Sequence, residues 1–198
     1  MKKIISWLLD PPVFGPRAII WIRLLTGGVF FWEGLLKFVY PNQGVGRFTK
    51  LGFPLPELTA HFVAVSEILG GLLLLLGLFT RITALYFIAE MIVAILSTKI
   101  SLFLGTSPLP LPPAPPKTGF WAVLHEIRSD YAQLLTGVFL LLEGPGVWSL
   151  DRRRLGKKGI IYAHESRLHS RDQAGTASPS PQPTHRAVSA TGAVQKRQ

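Results

Sequence analysis

One acid inside an otherwise apolar run does most to limit how this chain can fold. The run is His61–Arg81, HFVAVSEILGGLLLLLGLFTR. Between Phe62 and Phe79 it holds twelve large apolar residues and one ionisable residue, Glu67. Apolar residues contribute about −0.3 to −0.6 kcal/mol each to insertion, which together outweigh roughly 3 kcal/mol for one carboxylate. The run is therefore expected to span a bilayer and to carry Glu67 into it. A carboxylate in hydrocarbon must face protein and find a partner, so further helices have to pack on that face. Gly70 and Gly71, one turn on, offer a surface where another backbone can approach closely.

Three other segments share this character. Ala18–Tyr40 forms the first expected span and contains Arg23, Glu33 and Lys37. Arg23, Gly27, Phe30, Gly34 and Lys37 recur at spacings of four and three, which places them on one helical face. Glu33 precedes Lys37 by four residues, the favourable order for an ion pair. The second span covers 60–79 and the third 82–102, the latter carrying Glu90 with Lys99 near its end. The fourth, 121–143, begins among His125, Glu126, Arg128 and Asp130 and is purely apolar from Leu134 to Leu142. The expected fold class is all-α: an integral membrane four-helix bundle over 18–151, with a disordered basic C-terminal tail over 152–198.

The connections are also legible. Residues 1–17 form an N-terminal interfacial segment. Lys2 and Lys3 precede a short apolar helix, Ile4–Leu9, which Asp10 and two prolines stop before it reaches the length of a secretory core. Five glycines and prolines between Gln43 and Glu57 disfavour a long helix there. Ser107–Lys117, SPLPLPPAPPK, has six prolines and reads as a stiff spacer.

Composition narrows the chemistry. The 198 residues are 48% hydrophobic and 16% charged, the balance of a polytopic membrane protein. There is no cysteine, so thiol redox relays, thiolate metal sites and cysteine nucleophiles are excluded for this chain alone. The net charge is +10, with ten Lys or Arg against three acids from Gly144 onward. Beside a membrane span, that excess reads as a topology signal and an anionic-lipid contact rather than nucleic-acid binding. Nine Lys or Arg (Lys2, Lys3, Arg17, Arg81, Arg152, Arg153, Arg154, Lys157, Lys158) fall on the side of the termini. Four (Arg47, Lys50, Lys99, Lys117) fall on the other, so both termini are expected in the cytoplasm.

With that orientation, Glu67 lies about 13 Å below the outer surface. Glu33, Lys37, Glu67, Arg128 and Asp130 enter the outer half of the bundle and Glu90 approaches from within. They are the candidates for a polar pocket serving a quinone headgroup, a proton or a small solute. Structural ion pairs that fix helix register are the other reading of the same residues. Lys99, near a span end, reads as a snorkelling structural residue. His61 and His125 lie at the outer edge as interfacial hydrogen-bonding residues; no metal site is expected. No dinucleotide fingerprint, P-loop, HExxH or serine hydrolase motif occurs.

Four stretches taken in order, RLLTGGVFFWEGLLKF, FTKLGFPLP, SEILGGLLLLLGLFTR and GPGVWSLD, resemble the DoxX family of bacterial membrane proteins. The likeness covers Arg17–Asp151. It implies four helices in the inner membrane, and relatives that include a membrane subunit of a thiosulfate:quinone oxidoreductase. By resemblance, Arg23, Gly34, Lys37, Glu67, Gly70 and Arg81 occupy recurring family positions, with Arg23, Gly34, Gly70 and Arg81 read as structural or topological. The proline-rich third loop and the long basic tail depart from the pattern. The implied role is the integral subunit, itself not necessarily catalytic, of a quinone-linked oxidoreductase complex, with no covalently bound cofactor. A small-solute transporter or permeability factor, or a membrane scaffold recruiting a soluble partner, are the alternatives.

Overall fold

The computed structural model describes residues 2–9, 16–113 and 115–154, all within one unit, residues 1–158. The expected disordered tail lies almost entirely outside the described residues. They hold no strand, and their helices are α1 (Lys2–Leu9), α2 (Ile19–Val39), α3 (Val45–Lys50), α4 (Pro56–Leu76), α5 (Thr80–Leu104), α6 (Gly119–Glu126) and α7 (Arg128–Glu143), with a further helical run at 150–154.

Three of these are long and apolar enough to cross a membrane: α2, α4 and α5, with 21, 21 and 25 residues and mean hydropathies of 1.5, 1.8 and 1.9. At 1.5 Å per residue, the shorter two are about 31 Å long, the thickness of a hydrocarbon core. Their outer faces are apolar and open: Trp21 is 70% exposed, Trp32 64% and Phe62 63%. Such a surface suits lipid rather than water. The expected fourth span is divided. α6 ends at Glu126, Ile127 takes φ −81° and ψ −8°, and α7 restarts at Arg128. The segment between α2 and α4, expected to lack a long helix, contains only the six-residue α3.

α2 lies antiparallel on α4, and small residues set the distance. A Cβ on Gly27 would sit 2.8 Å from the carbonyl oxygen of Gly71, and one on Gly71 would sit 2.7 Å from that of Gly27. One on Gly34 would come within 2.7 Å of the Ala64 carbonyl. These near contacts lie below any real Cβ separation, so the two backbones meet only because the side chains are missing. Gly70 serves α5 instead: its Cβ would lie 2.6 Å from Phe87, whose ring stacks on Phe30 at 3.6 Å between centroids. That stack ties α2 to α5 across the face of α4. α7 runs antiparallel to α5, with Gly137 against Ile88 and Ala84.

The α4–α5 turn is three residues long. Gly77, at φ 66°, closes α4 in the left-handed conformation that glycine adopts without strain. Phe79 takes φ 51° without that freedom, and it is held from outside. The Asp151 carboxylate accepts from the backbone N–H groups of Phe79 and Thr80, each at 3.1 Å, while Arg154 lies over the Phe79 ring. The closing segment after α7 thus caps the start of α5.

Candidate functional site

The polar interior is built by three helices. Lys37 comes from the last turn of α2, Ser66 and Glu67 from the middle of α4, and Tyr86 and Glu90 from one face of α5, four residues apart. Lys37 Nζ reaches Glu67 Oε2 at 2.6 Å, with the two side chains only 12% and 4% exposed. The acid in the apolar run therefore has a cationic partner, supplied by the inward stripe of α2. Ser66 donates its hydroxyl to the Val63 carbonyl, and the Ser66 and Tyr86 hydroxyls lie 2.5 Å apart. Next to them, the Glu90 carboxyl lies close enough to Glu67 and Tyr86 to interact electrostatically with both. Its Oε2 is buried and makes no hydrogen bond. Two acids, one ammonium and one phenol thus meet among α2, α4 and α5, with Glu67 buried and the other three half-buried.

The other candidates fall elsewhere. Glu33 is exposed, and only its backbone carbonyl meets Lys37, at 3.5 Å. The expected Glu33–Lys37 side-chain pair is replaced by Lys37–Glu67, because Glu33 lies at the outer edge of the α2 stripe. Arg128 is exposed at the start of α7 and forms no ion pair among the described residues. Asp130 pairs with Lys99 at 3.0 Å, joining α7 to α5. Lys99, expected to snorkel, is instead a half-buried partner. His61 donates from Nδ1 to the Glu57 carbonyl at 2.8 Å, and His125 sits 3.3 Å from Glu126; both are exposed. Among the described residues, no three His, Asp or Glu side chains converge as a metal site. Tyr86 and Ser66 were not singled out from the sequence. Tyr86 stands four residues before Glu90, and that spacing was the available signal.

The two buried arginines act on backbone. Arg23 donates to four carbonyls: Leu74 at 2.9 Å and Leu75 at 2.7 Å at the end of α4, and Pro145 at 3.1 Å and Trp148 at 2.5 Å after α7. A rigid five-donor fork suits this cluster of four carbonyls, two at the end of α4 and two in the segment after α7. Arg81 donates to the Leu142 carbonyl at 2.7 Å and the Trp7 carbonyl at 3.2 Å, with its guanidinium 4.1 Å from the centre of the Trp7 ring.

The family model described as DoxX matches residues 18–100, which contain Arg23, Lys37, Glu67, Tyr86 and Glu90. The chain is 44% identical over 145 residues to "Uncharacterized membrane protein Rv3486" of Mycobacterium tuberculosis (strain ATCC 25618 / H37Rv), covering 70% of this chain and 82% of that one. It is 31% identical over 131 residues to "Putative oxidoreductase CatD" of Bacillus subtilis (strain 168), covering 66% and 81%. It is 29% identical over 141 residues to "Inner membrane protein YphA" of Escherichia coli (strain K12), covering 70% and 91%. No solved structure matches the chain with comparable significance.

Proposed function

This chain is a membrane protein of the DoxX family, and from that premise we propose that it is the integral subunit of a quinone-linked redox complex in the inner membrane. In this reading α6 and α7 together make a fourth, broken span, both termini are cytoplasmic, and the Lys37–Glu67–Glu90–Tyr86 pocket exchanges protons with a quinone. One observation carries it: the Glu90 carboxyl set against Glu67 of the Lys37–Glu67 pair, two acids beside one ammonium. The second acid has no cation of its own, and it calls for a proton or a ligand. The relative named "Putative oxidoreductase CatD" supports the same reading.

The residues suit a quinone headgroup. Its carbonyl oxygens need donors, and Lys37 and a protonated Glu90 are donors. A bound quinone would supply a two-electron acceptor; a partner oxidoreductase would supply the electrons, and two protons complete the reduction. Lys37 holds Glu67 in place and balances one negative charge. Glu90 then carries a proton in the neutral form of the pocket, since two acids face one ammonium. Tyr86, fixed through Ser66, orients Glu90.

The test is titration of the purified protein, in phosphatidylcholine nanodiscs, with a short-chain ubiquinone followed by tryptophan fluorescence. Saturable quenching is expected, weakened at least tenfold by Glu90→Gln and by Glu67→Gln. Absence of saturable binding, or binding unchanged in both variants, overturns the reading. Solute uptake into proteoliposomes without an electron donor would favour a transporter in its place.

A further inference from the structure

A cavity lies at the C-terminal end of α5, apart from the Glu90 site. Lys99 stands nine residues beyond Glu90 on α5, about 13 Å along the helix. The cavity holds about 250 Å³ and is closed by the turn after α2, by α3, by the end of α5 and by the proline-rich loop. Three cations line it, Arg47 and Lys50 from α3 and Lys99 from α5, against one acid, Glu126.

The charges do not cancel. Lys99 is matched by Asp130 and Glu126 leans on His125. Arg47 and Lys50 form no ion pair or side-chain hydrogen bond among the described residues, although Arg47 is half-buried. They stand three residues apart in α3, so both reach the same side. The Asn42 and Gln43 amides add neutral donors to the lining. Prolines 110 and 112 in the opposite wall have no N–H to offer and little freedom to move, which keeps the cavity open.

We propose that this cavity binds a compact oxyanion, a carboxylate or phosphate group held by Arg47 and Lys50. The guanidinium fork matches either group in bidentate geometry. The volume falls just under the usual range for drug-sized ligands, about 300–1,000 Å³, so the anion is small or is only the head of a larger molecule. Both a free solute and a lipid headgroup carry such a group. The site does not depend on the quinone reading, because none of its residues belongs to the Glu90 pocket.

The test uses the full-length protein in nanodiscs of zwitterionic phosphatidylcholine, with thermal stability as the readout. Succinate and inorganic phosphate are titrated at constant ionic strength against chloride. In a separate arm, phosphatidylglycerol replaces part of the lipid. A saturable stabilisation is expected with at least one of these probes, its midpoint raised at least tenfold by Arg47→Gln. Lys50→Gln, on an exposed residue, is the second variant and is expected to move the midpoint in the same direction. A response to the soluble anions assigns a solute, and a response to phosphatidylglycerol alone assigns a lipid headgroup. No saturable response to any probe, or midpoints unchanged in both variants, overturns the proposal.

Discussion

At the residue scale, the central fact is that the two most buried charges of the membrane helices are satisfied in different ways. Glu67 is answered by a side chain and Arg23 by main chain. Lys37→Met should strand the Glu67 carboxylate and cost about 3–5 kcal/mol, the usual loss on breaking a buried pair. Lys37→Met with Glu67→Gln should cost less than the two single changes summed, a coupling above about 1 kcal/mol measurable by denaturant unfolding in mixed micelles. Arg23→Lys keeps the charge but replaces the fork by one ammonium that cannot span four carbonyls, so a loss of about 2–3 kcal/mol is expected by the same measurement. Part of this was legible in advance. The spacing of Arg23, Gly27, Phe30, Gly34 and Lys37 defines the face that α2 turns inward, and four of the five are fully buried. Glu33 lies roughly 80° from the centre of that stripe at 100° per residue, which is why it stays outside. Glu67 and Glu90 stood among the candidates for one pocket, but which of the candidates pair was not legible, because it depends on how far the α4–α5 hairpin slides, and no spacing within one helix reports that.

At the scale of elements, the α2–α4 contact makes a sharp contrast between neighbouring glycines. Gly27→Ala must push against the Gly71 carbonyl and should destabilise by about 1–3 kcal/mol. Gly28→Ala meets nothing within 4 Å and should be neutral or stabilise by up to about 1 kcal/mol through helix propensity. Thermal unfolding in detergent distinguishes the two. Sequence pattern located the long helices to within a few residues, since uninterrupted apolar length is a local property. It did not show the interruption at Ile127. The charged residues around it, His125, Glu126, Arg128 and Asp130, signalled a membrane edge, whereas in the structure Lys99 pairs with Asp130 just past the break.

For the whole molecule, the proposed orientation can be read chemically because the chain has no native cysteine. Arg153→Cys, in the segment after α7, should react with an impermeant maleimide only after the membrane is opened. Thr106→Cys, in the loop after α5, should react in intact cells. Labelling in the reverse order would turn the protein over and move the basic cavity to the cytoplasmic side.

The Arg23 contacts also bear on how the protein is made. Two of its four acceptors, Pro145 and Trp148, lie 122 and 125 residues later in the chain. While the ribosome is still producing the later helices, α2 enters the membrane before any of the four acceptors is made; Leu74 and Leu75 arrive with α4, and Pro145 and Trp148 only after α7. Completion is therefore checked by one cation near the start of the polypeptide, and a nascent chain cut short after Glu143 would offer quality-control proteases an unfinished, recognisable intermediate.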